Sequence, residues 1–164
     1  MASTNLIGDI TTVYVNGPSA VTKTNAIAPG GPIMDYPGVT ELVQEKFKEA
    51  VVLTAKVVTN TNAADSANLT LLNGIVALLN GTSSPSTHCI TDINAVIATG
   101  PGTATLAASI AAAGPIMDYQ GNLNIIQGRL REAKVLVGKL ITNTDSSTDA
   151  TNLGLLNGIT AVLV

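Results

Sequence analysis

Ile10-Thr11-Thr12-Val13-Tyr14-Val15, then Asn16-Gly17-Pro18-Ser19, then Ala20-Val21-Thr22-Lys23-Thr24-Asn25-Ala26-Ile27 is the stretch on which the fold class turns. A β-branched, roughly alternating run, a Gly-Pro punctuation and a second Thr-rich run predict strand, turn and strand. The same place in the second half of the chain reads Thr103-Ala104-Thr105-Leu106-Ala107-Ala108-Ser109-Ile110-Ala111-Ala112-Ala113, an Ala-rich segment that in isolation could equally wind into a helix. The comparison is possible because the chain is a tandem duplication. Shifted by 83 positions, residues 7–60 align with 90–143 without a gap, with 24 identities in 54 pairs.

Outward from that stretch, the match is densest at Gly31-Pro32-Ile33-Met34-Asp35-Tyr36, which returns unchanged as Gly114-Pro115-Ile116-Met117-Asp118-Tyr119. A helix is predicted to follow in each copy, over 36–60 and 119–143. Apolar residues at 39, 42, 43, 47, 50, 53, 57 and 58 keep the three-and-four spacing of one buried face. Asp35 and Asp118 stand where an N-cap belongs, with Pro37 in the first turn of the first copy. Pro32, Met34, Asp35 and Tyr36, with Pro115, Met117, Asp118 and Tyr119, therefore read as a structural corner and helix cap.

A polar connection leads to a second anchor, Leu71-Leu72-Asn73-Gly74-Ile75, repeated as Leu155-Leu156-Asn157-Gly158-Ile159 after one inserted residue. Asn-Gly between apolar runs signals a hairpin, but the leucine spacing favours a short helix over 69–79 and 153–163, capped by Asp65 or Ser66 in the first copy. The expected fold is mainly α with some β. Each unit is an extended or β-hairpin region followed by an antiparallel helical hairpin, with unit one at 1–80, a linker at 81–88 and unit two at 89–164.

Composition narrows the function. Apolar residues make up 46% of the chain and charged ones 12%, against roughly 25% charged in an average soluble domain. A surface so poor in charge is expected to be Thr-, Ser- and Asn-rich, partly covered by other subunits, or both. Eight basic residues and a net charge of -3 give no basic stripe for nucleic acid. The long uncharged stretch 93–117 is broken by Gly100-Pro101-Gly102 and Gly114-Pro115, which argues against a membrane helix, and the N-terminus carries no recognisable signal peptide.

Chemistry is hard to find. Cys89 aligns with Leu6 and reads as a small buried apolar residue; alone, it allows no intrachain disulfide. His88 is the single histidine and lies unrepeated in the linker. The glycines match neither a Walker loop nor a dinucleotide fingerprint. The acids kept in both copies, Asp9/Asp92, Asp35/Asp118 and Glu49/Glu132, are too isolated for a calcium loop. No catalytic, cofactor or metal residues are assigned and no enzyme activity is expected.

The remaining profile is that of an assembly component, with candidate contacts at Leu71, Leu72, Asn73 and Ile75 and at Leu155, Leu156, Asn157 and Ile159. An Asn on a leucine-rich helix either faces solvent or is buried to set register between associating helices. In its short polar N-terminus, Met1 to Leu6, and its Thr/Asn-rich helical modules, the chain resembles phage virion decoration proteins of the capsid cement or head-fibre kind. The resemblance implies a structural role in a virion, synthesis in the host cytoplasm, and contacts with further copies of itself and with a major capsid or other virion protein. The other readings are a cell-surface or filament-forming subunit and a small apolar-ligand binding protein.

Overall fold

In the computed structural model, which describes residues 1–27, 35–109 and 118–164, the chain forms α1 (Leu6–Asn16), α2 (Ala20–Ile27), α3 (Tyr36–Asn60), α4 (Ser66–Asn80), α5 (Cys89–Thr99), α6 (Thr103–Ser109), α7 (Tyr119–Asn143) and α8 (Ala150–Val162). The described residues contain no strand. The expected extended or β-hairpin region is thereby corrected: α1 and α2 stand in its place in the first copy and α5 and α6 in the second, and the described residues are all-α.

The reason lies in a window wider than the run Ile10–Val15, in which five of six residues are β-branched. Leu6, Ile10 and Val13 are buried, a spacing of four and three, and Cys89, Ile93 and Val96 repeat it. The threonines between them do not oppose the helix: Thr11 Oγ1 donates to Ile7 O at 2.6 Å and Thr12 Oγ1 to Gly8 O at 3.0 Å. Gly17-Pro18 ends a helix where a hairpin turn was expected. Gly17 and Gly100 have φ of 67° and 68°, their amides close on Val13 O and Val96 O, and proline follows.

The two long helices form where their apolar spacing predicts. Asp35 caps α3 by accepting from Gly38 N at 3.1 Å, and Asp118 caps α7 by accepting from Gly121 N at 2.9 Å. The corner residues Pro32, Met34, Pro115 and Met117 lie outside the described residues. Tyr36 and Tyr119 open the two helices and are buried.

The copies are halves of one core. α3 packs along α7 in antiparallel register, and around this pair the helices close a ring in which α1 touches α3, α3 touches α4, α4 touches α5, α5 touches α7, α7 touches α8 and α8 touches α1. Two steps of the ring cross between copies. Ser86 N donates to Gly74 O at 2.8 Å where the first copy hands on to the second, and Ser3 N donates to Gly158 O at 3.0 Å where the second returns to the first. A pseudo-two-fold axis therefore relates the units, and one apolar cluster containing Phe47, Leu72, Ile93, Leu130 and Ile159 runs through both.

Candidate functional site

The repeated polar residues hold the halves together. Tyr36 Oη lies 2.7 Å from Thr144 Oγ1 at one end of the α3/α7 pair, and Tyr119 Oη lies 2.8 Å from Thr61 Oγ1 at the other. Burial raises the tyrosine pKa values above the ordinary phenol, with the threonine hydrogen bonds opposing it, so both hydroxyls stay neutral.

Asp65 and Asp149 act across the same boundary. Each stands at the N-terminus of its helix, α4 or α8, without capping it through the side chain. Asp65 accepts instead from Gly102 N at 2.9 Å and from the Thr105 hydroxyl; Asp149 accepts from Ser19 N at 2.9 Å and from the Thr22 hydroxyl. Each carboxylate thus holds the start of the short helix, α6 or α2, of the other copy. For Asp149, desolvation is outweighed by these hydrogen bonds and the pKa is held below the ordinary carboxylate value. Asn68 and Asn152 complete the arrangement, donating to Gly100 O at 2.9 Å and Gly17 O at 3.0 Å. Asp9 and Asp92 act locally, each accepting at 2.6 Å from the hydroxyl of a serine six residues earlier, Ser3 or Ser86.

The two other singular residues have structural surroundings. Cys89 is completely buried in α5, where desolvation followed by the nearby Asp92 charge pushes its thiol up to about 12. His88 is the N-cap residue of α5, with Thr87 Oγ1 2.9 Å from its Nδ1. Among the described residues no three His, Cys, Asp or Glu side chains come together as a metal site. No helix among them is long and apolar enough to cross a membrane.

The Leu-Leu-Asn-Gly-Ile anchors face mainly inward. Leu72, Ile75, Leu156 and Ile159 are fully buried in the chain's own core, and Leu71 and Leu155 are half-buried against it. Asn73 and Asn157 are exposed. Of the eight candidate contacts, these two asparagines are the ones that another molecule could reach freely.

The exposed surface with a pattern lies on α3 and α7 instead. Leu42, Lys46, Glu49 and Leu53 follow one another at spacings of four, three and four, so they lie along one stripe of α3; Ile125, Arg129, Glu132 and Leu136 do the same on α7. Because the helices are antiparallel, Lys46 Nζ meets Glu132 at 3.0 Å and Arg129 Nε meets Glu49. Arg129 also reaches Glu132 at 3.5 Å. Hydrogen bonding from Lys46 and the nearby cations hold Glu132 below its ordinary pKa. Leu42 and Ile125, 39% and 45% exposed, occupy equivalent positions in the two copies, as do Val52 and Val135 at 54% and 61%. Lys48, Glu49, Val52, Leu53 and Arg129 line a shallow groove on this face.

Leu42 fits the helical spacing of the core face yet is exposed, and Val52 falls outside that spacing. The available signal was that both positions stay aliphatic in the second copy. No family model, curated protein or solved structure matches this chain.

Proposed function

We propose that the protein is a non-enzymatic structural component of a virion, a capsid decoration, cement or head-fibre protein that contacts further copies of itself and a major capsid or other virion protein, and that it is made in the host cytoplasm. The observation that carries this reading is the paired exposure of aliphatic side chains at equivalent positions of the two copies, Leu42 with Ile125 and Val52 with Val135. A single exposed aliphatic side chain is ordinary on a protein surface, but repetition at equivalent positions of both copies suits a chain that offers two like contacts to a repeated lattice. The repeated acids support the non-enzymatic part: Asp9, Asp35, Glu49, Asp65 and their counterparts hold a hydroxyl, a helix amide or an intrachain cation. The test is to label gradient-purified particles with a gold-conjugated antibody to this chain. The reading expects label on capsids; label confined to detached filaments or cell envelopes would establish the surface-filament reading in its place.

A further inference from the structure

From the charge pattern on the outer α3/α7 surface, we infer that this surface is a self-docking face whose occupant is the same face of a second copy. Four charges mark its corners. Along α3 the order is Lys46 then Glu49; opposite them on α7 stand Glu132 and Arg129. Sign therefore alternates around the quadrilateral. When a second copy is turned over about a two-fold axis lying in the plane of the face, parallel or perpendicular to the helices, each of these four charges arrives above one of opposite sign, while the exposed Lys48 and Arg131 lie outside the quadrilateral.

The apolar residues obey the same rotation. In the antiparallel register Leu42 lies across from Leu136 and Leu53 across from Ile125, on either side of the charged quartet. Turning the copy over brings aliphatic side chains onto aliphatic side chains at both ends. The four charges of the quadrilateral sum to zero. Each already has an intrachain counter-ion, so docking strands no lone charge in a desolvated contact. Self-complementarity follows from the internal pseudo-two-fold, which duplicates each feature with its opposite beside it.

The inference deepens the self-assembly half of the proposed function and can fail without it. A variant in which the checkerboard is inverted, Lys46→Glu, Glu49→Lys, Arg129→Glu and Glu132→Arg, retains both intrachain ion pairs with their signs exchanged. Wild type and the inverted variant each form dimers in native mass spectrometry. In a mixture with one of them isotopically labelled, hybrid dimers fall roughly tenfold below the statistical share, because like charges then face each other. Hybrids at the statistical share, or a wild type that is monomeric up to hundreds of micromolar, overturn the inference.

A second variant is independent of any refolded charge cluster. Val52→Asp with Val135→Asp changes two side chains more than half exposed, and it weakens dimerisation by about tenfold or more; an unchanged dimer constant overturns the inference. A monomer that still decorates particles removes this face and leaves the virion reading. A dimer absent from particles does the reverse.

Discussion

The hydroxyl of Tyr36, the first residue of α3, lies 2.7 Å from the hydroxyl of Thr144, the C-cap of α7, and the copy-related pair Tyr119 and Thr61 sits 2.8 Å apart at the opposite end of the helix pair. Tyr36→Phe and Tyr119→Phe each remove one buried cross-copy hydrogen bond. The threonine left behind keeps its bond to the main chain, Thr144 to Leu140 O and Thr61 to Val57 O, both at 2.7 Å. Each variant is expected to lose about 1 kcal/mol in urea unfolding. The double variant loses the sum, since the ends of helices of 25 residues are roughly 35 Å apart.

Equivalent glycines of the two anchors respond oppositely. A Cβ at Gly74 meets Ser86 at ordinary contact distances of 3.5 Å and beyond, so Gly74→Ala gains helix propensity, about 0.5–1 kcal/mol. A Cβ at Gly158 falls 2.6 Å from Met1 O and 3.3 Å from Ser3 N. Gly158→Ala therefore pushes residues 1–3 off α8 and lowers the melting temperature, with faster amide exchange at Ser3 as the local sign.

Neighbouring residues on α4 separate core from surface. Leu72→Ala opens a cavity in the shared core and costs about 2–5 kcal/mol. Asn73→Leu, on the exposed side, changes stability by no more than about 0.5 kcal/mol. A large gain on Asn73→Leu in thermal unfolding would place that side chain inside a contact.

The connection after each long helix also distinguishes the copies. Asn62 Oδ1 accepts from Ala64 N at 2.9 Å, and its counterpart Asp145 accepts from Ser147 N at 2.9 Å and from further hydroxyl and amide groups of Ser147 and Thr148. The Ser147 hydroxyl and then the Thr148 and Ser147 amides lower the Asp145 pKa from 3.8 to about 2. Between those values the unfolded chain binds more protons than the folded one, so stability rises with pH. The Asp145 contribution is full above 3.8 and is lost as pH falls through about 2. Carboxyl carbon shifts should titrate near the lower value, and Asp145→Asn should flatten the acid limb of the stability profile while keeping the turn, as Asn62 does.

The long helices were legible because every step of the core argument is local: Val43, Phe47, Ala50 and Val57 recur at helical spacing, and an Asp-x-x-Gly cap precedes them in both copies. α1 is harder to read because five of the six residues from Ile10 to Val15 are β-branched, and the helical spacing shows only when Leu6 is included. Asp65 illustrates the harder case. Its position marks a helix start, yet its carboxylate turns to Gly102 and Thr105 in the other copy, a partner no local pattern predicts. What the sequence did contain was the retention of both members, Asp65/Asp149 with Thr22/Thr105 and Tyr36/Tyr119 with Thr61/Thr144. Residues kept as pairs in a duplicated chain are candidates for contact between the duplicates.

That reciprocity makes unfolding of the separated halves the most direct test of a single two-fold core. Residues 1–80 and 81–164, produced as two chains and melted alone over a wide concentration range, are each expected to unfold with a midpoint that depends on concentration, because a second half must supply α3 or α7's partner. Mixing them should restore the spectrum and the midpoint of the linked protein, apart from the concentration dependence. A cooperative, concentration-independent transition from either half alone would contradict the shared core.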